Sequence, residues 1–68
     1  MAQLQPPIAM LNSLTSSDPA VFAHIQMPDE VRKKLCTNDF DDWDDVAATT
    51  MCSADVLREV QQAIWDAA

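Results

Sequence analysis

Five carboxylates fall within the seven-residue segment Asp39–Asp45, and two aromatic side chains lie among them. If this segment is helical, Phe40, Trp43 and Val46 recur every third residue and share one apolar stripe. The carboxylates then spread over the remaining surface and create a concentrated negative field beside that stripe. This combination favours binding over catalysis. We refer to the five carboxylates as the acidic cluster, which comprises Asp39, Asp41, Asp42, Asp44 and Asp45.

Three interpretations of the acidic cluster remain open on the sequence. The cluster is a solvated helix face that keeps a small protein soluble, or it is a partner-binding surface. In the second case the carboxylates steer the encounter with a basic partner, and the Trp43 ring anchors the contact. The third interpretation is mimicry of a nucleic acid, in which carboxylates occupy a groove built for phosphates. An acidic activation segment is less consistent, because such segments are disordered and 49% of this chain is hydrophobic.

The residue types that catalysis requires are poorly represented. His24 is the single histidine, and its neighbours Phe22 and Ile25 favour a place at the surface or at the edge of the core over a role as a general base. No residue is placed to orient a nucleophilic pair of cysteine and histidine. The chain has no glycine, so it cannot form a glycine-rich phosphate loop. We therefore predict no catalytic residues and a non-enzymatic protein.

Metal and cofactor sites are also not indicated. His24, Cys36 and Cys52 are separated by 12 and 16 residues, which matches no common zinc pattern. The aspartate run lacks the alternating ligands, central glycine and terminal glutamate of a calcium loop. We expect no metal and no cofactor, and we expect both cysteines to be free thiols that pack as small hydrophobic side chains.

The formal net charge is −7, from 11 acidic and 4 basic residues. Binding to nucleic acid through phosphate neutralisation is disfavoured, because it needs a basic patch, and attraction to an anionic membrane is disfavoured for the same reason. Residues 1–14 lack the basic start and long apolar run of a secretory signal. No stretch reaches the roughly 20 apolar residues of a membrane span. We therefore expect a cytoplasmic location and a larger partner protein with a basic surface.

The length of 68 residues predicts a single small domain over residues 1–68, with residues 1–5 as a loose arm. Without glycine, tight hairpin turns are difficult to build. Tyrosine is absent as well, and β-branched residues never alternate with polar ones. These features favour an all-α fold, a compact bundle of four to five short helices. A chain this short buries only about 60% of its unfolded surface, so its stability is marginal.

Proline and capping residues mark the boundaries of the first three predicted helices. Pro6 and Pro7 begin the first helix, because proline is tolerated in a first turn. Asp18 and Pro19 begin the second, and Pro28 ends it because the residue before a proline disfavours the helical conformation. The third helix begins near Pro28. The core-facing residues expected on these helices are Ile8, Leu11, Val21, Phe22, Ile25, Val31 and Leu35.

Two further helices complete the predicted bundle. Residues 37–39 form a connection in which Asp39 is the N-cap of a fourth helix, and that helix runs from about Phe40 to about Thr50. Ser53 caps the fifth helix, which has the strongest helical periodicity in the chain. We predict that Val60 and Trp65 belong to the core. The full apolar face of the fifth helix is Val56, Leu57, Val60, Ile64 and Trp65.

Residues 1–17 carry no charge, whereas every acidic and basic residue lies from Asp18 onward. This uncharged segment either packs over the other helices or docks on another chain. We therefore predict a small acidic adaptor or inhibitor that docks on a basic-surfaced protein. Virus-encoded inhibitors of host proteins are often small, compact and acidic, and this chain resembles them in size and charge alone. The alternative is a structural subunit, in which the uncharged segment joins a homodimer or a larger assembly.

Overall fold

The computed structural model describes residues 5–68, and within that range the chain forms four α-helices, one short 3₁₀ helix and no strand. The prediction of an all-α bundle of four to five short helices is confirmed. The loose arm predicted over residues 1–5 lies outside the described residues, except for Gln5, which is exposed. The elements are α1 (Ile8–Ser17), the 3₁₀ helix (Pro19–Phe22), α2 (Asp29–Thr37), α3 (Trp43–Thr50) and α4 (Ala54–Ala67).

Charges and caps at the helix ends explain where α2 and α4 begin. Asp29 and Glu30 lie in the first turn of α2 and Lys34 lies in its last, so each charge is at the end of the helix dipole that favours it. At the start of α4, the Ser53 hydroxyl accepts a hydrogen bond from the backbone N–H of Val56 at 3.2 Å. Ser53 is therefore the N-cap of α4, as predicted from the sequence.

Side chains from every helix meet in one hydrophobic core. α1 packs against the 3₁₀ helix, α2 and α4, and α2 packs against α3. Leu11 of α1 is completely enclosed, so the described part of the uncharged segment is an integral part of this core. The buried apolar residues are Leu11, Phe22, Ile25, Val31, Leu35, Phe40, Trp43, Val46, Val60, Ala63 and Ile64.

The second helix is much shorter than predicted, because it ends at Phe22 rather than before Pro28. The Arg32 guanidinium donates hydrogen bonds to the backbone carbonyl of Phe22 at 2.8 Å and to that of Ile25 at 2.6 Å. In the predicted helix the Phe22 carbonyl would accept from the backbone N–H of Gln26, but it accepts instead from that of Ile25 at 3.2 Å, as in a turn. Arg32 supplies a second donor to Phe22 and the donor to Ile25, and so holds the segment as turns. Phe22 and Ile25 are nevertheless buried, as predicted.

The fourth predicted helix, α3, begins three residues later than expected. Its N-cap is Asp42 rather than Asp39, and Phe40 lies ahead of the helix. Phe40 is still buried beside the core residues Trp43 and Val46. The predicted apolar stripe therefore exists, but one of its three members comes from the connecting segment.

The prediction for the core face of α4 is partly right. Val60 and Ile64 are buried, whereas Trp65 is only half-buried. Ala63, which lies three residues after Val60 and so shares its face, is buried in addition. The apolar face of α4 is wider than the strip that contacts the other helices, and Trp65 lies at its margin.

The two tryptophans give a matched test of this core. We expect Trp43→Ala to cost about 3–5 kcal/mol of the free energy of unfolding, and Trp65→Ala to cost clearly less because its ring is partly exposed. A single core in a chain of this size rarely supplies more than about 3–5 kcal/mol, so Trp43→Ala should be largely unfolded at room temperature. Circular dichroism without denaturant shows the loss of helix in Trp43→Ala, and urea denaturation measures the smaller loss of stability in Trp65→Ala. Equal losses would contradict the different burial of the two rings.

Candidate binding surface

A reciprocal pair of hydrogen bonds fixes the segment that carries the acidic cluster. The side-chain amide of Asn12 donates to the backbone carbonyl of Phe40 at 2.9 Å, and its carbonyl oxygen accepts from the backbone N–H of Phe40 at 3.0 Å. Both backbone groups of Phe40 are therefore satisfied by one side chain of α1. The connection between α2 and α3 is held against α1 as a result.

The two aromatic side chains of the segment point into the core and not toward a partner. Trp43 is 6% exposed and Phe40 is 4% exposed. The indole N–H of Trp43 donates to the backbone carbonyl of Pro6 at 2.7 Å, so the polar atom of the ring is also satisfied inside the protein. The expectation that Trp43 anchors a partner is corrected by this placement, because its ring has almost no accessible surface.

Two of the five aspartates cap the N-terminus of α3. Asp42 Oδ1 accepts a hydrogen bond from the backbone N–H of Asp45 at 2.7 Å, and Asp45 Oδ2 accepts from the backbone N–H of Asp41 at 3.2 Å. The Thr49 hydroxyl also donates to Asp45 Oδ1 at 3.2 Å. This exchange resembles a capping box, in which the N-cap residue and the residue three positions later each satisfy a backbone donor. The spacing of Asp42 and Asp45 in the sequence already carries that signal, which our sequence analysis missed.

The other three aspartates have no structural role of this kind. The side chains of Asp39, Asp41 and Asp44 are exposed, and their carboxylates make no hydrogen bond or ion pair with any residue in the range 5–68. Asp44 lies in the first turn of α3, where the helix dipole gives it a modest stabilisation. We call Asp39, Asp41 and Asp44 the free carboxylates. The predicted site therefore has two parts: the free carboxylates, which are exposed, and the pair Asp42 and Asp45, which caps α3.

The cations of the described chain do not neutralise the free carboxylates. The Arg32 guanidinium is occupied by two backbone carbonyls, and Arg58 pairs with Asp55 on the exposed surface of α4. Lys33 and Lys34 form no ion pair with a described carboxylate. The negative field of the acidic cluster is therefore directed at solvent and at any partner that approaches.

Other groups that could carry chemistry lie apart from one another. His24 is exposed and lines a shallow groove of about 240 Å³, together with Val21 and the end of α4. Cys36 is exposed and Cys52 is half-buried, and both are free thiols. The expectation that Cys36 packs as a buried hydrophobic side chain is therefore wrong. Within residues 5–68, no three histidine, cysteine or acidic side chains are grouped so that they could hold a metal ion.

No helix in the described part of the chain has the length and apolar character needed to cross a membrane. Comparison with protein-family models, with curated proteins and with solved structures finds no match to this chain. The class that the fold and surface define is a small all-α domain that displays uncompensated carboxylates.

The capping role of Asp42 can be separated from its charge. We expect Asp42→Ala to cost about 1 kcal/mol of the free energy of unfolding, and Asp42→Asn to cost only a few tenths, because asparagine caps helices about as well as aspartate. The matched control is Asp41→Ala, which removes a free carboxylate and should change stability by less than about 0.5 kcal/mol. Thermal melts followed by circular dichroism measure all three. If Asp41→Ala is as destabilising as Asp42→Ala, the assignment of the cap is incorrect.

Proposed function

We propose that this protein is a small acidic, non-enzymatic binding module that docks on a larger protein with a basic surface, as an adaptor or an inhibitor. The observation that carries the proposal is the display of three free carboxylates on a fixed segment. Asp39, Asp41 and Asp44 have no partner among the described residues. No cation among the described residues compensates these charges, so we infer that they serve an interaction outside the domain.

The rigidity of the segment supports this proposal. Asn12 holds the backbone of Phe40 from α1, and the Asp42 cap fixes the first turn of α3. A surface that is ordered before it meets a partner loses less conformational entropy on binding than a flexible acidic tail does. The free carboxylates are thus presented in a defined arrangement that a particular basic surface can match.

The charge balance supports the choice of partner. A net charge of −7 accelerates encounter with a basic protein and opposes encounter with nucleic acid, with an anionic membrane or with a second copy through the same acidic face. The two free thiols are consistent with a reducing compartment, so we propose a cytoplasmic location. A narrower form of the proposal is an inhibitor, of the kind some viruses encode, whose carboxylates occupy a groove built for phosphates.

A second candidate function is a structural subunit that uses the uncharged N-terminal segment. The observation that favours it is a groove of about 170 Å³ between α1 and the end of α4, lined by Met10, Ser13, Leu14, Ala67 and Ala68. Met10 and Leu14 are only half-buried there, so apolar surface remains accessible. A homodimer or larger assembly would cover it.

The mass in solution distinguishes the two candidate functions. We expect a stable monomer over a range of concentrations, because the docking proposal leaves the acidic face available and like charge opposes self-association. Sedimentation equilibrium or light scattering gives this mass directly. A dimer or larger oligomer that persists on dilution would favour the structural subunit, and Leu14→Gln would then be expected to dissociate it.

Two triple variants test the role of the free carboxylates in binding. The cluster variant changes Asp39, Asp41 and Asp44 to asparagine, and the control variant replaces Asp18, Glu59 and Asp66 by their amides. Each variant removes three negative charges from exposed positions, so the two have the same net charge. Asp42 and Asp45 stay unchanged, so the cap of α3 is preserved. Both variants should therefore keep the wild-type helical content and melting temperature to within a few degrees.

The partner captured from the source cell by the immobilised protein is then purified and measured against each variant by surface plasmon resonance at several salt concentrations. We expect the cluster variant to associate more slowly and with a flatter salt dependence, since the lost charges act mainly on the on-rate. The association rate of the control variant should fall much less. Equal losses in the two variants would show that only net charge matters. Unchanged binding of the cluster variant would show that the carboxylates of Asp39, Asp41 and Asp44 have no role in docking.

A further inference from the structure

We draw no further inference here: the strongest candidate, the shallow groove between the 3₁₀ helix and the last turn of α4 where His24 and Asp66 lie beside Val21, Ala63 and Ala67, is an open apolar surface, and nothing in the structure shows what covers it.

Discussion

The hydrogen bond from the Trp43 indole to the Pro6 carbonyl, at 2.7 Å, joins the first described residues to α3 across 37 positions of the chain. The donor and the acceptor are both buried, so each would be left unsatisfied without the other. The ring itself fills the core beside Val46 and Phe40. In a domain with so few large side chains, this contact fixes the position of α3 against the segment that precedes α1. It therefore also sets where the free carboxylates are displayed.

The sequence predicted best those features that depend on neighbouring residues. The Ser53 cap and the burial of Val60 follow from local capping and helical periodicity, and both are present in the structure. The start of α3 was misplaced because Asp39 and Asp42 are both acceptable N-caps. A distant side chain, that of Asn12, decides between them by holding Phe40 in a non-helical conformation. Nothing near Phe40 in the sequence points to Asn12.

The candidate site was predictable in composition but not in the roles of its members. The sequence marked all five aspartates as exposed binding residues, yet Asp42 and Asp45 hold the first turn of α3. Once the helix start is known, their spacing identifies the capping pair. The burial of Trp43 follows from the same start, because Trp43 then lies three residues before the buried Val46, on the face of α3 that packs against the core.

α3 has only eight residues, and a helix of that length is not stable alone in water. It persists because its inner face is packed and its N-terminus is capped by Asp42, neither of which requires the outer face. Substitutions on the outer face can therefore change the charge and polarity of that surface without loss of the helix. Carboxylates at the start of a helix also interact favourably with its dipole, which offsets part of their mutual repulsion. A negatively charged surface is thus less costly at the N-terminus of α3 than it would be at the C-terminus of a helix.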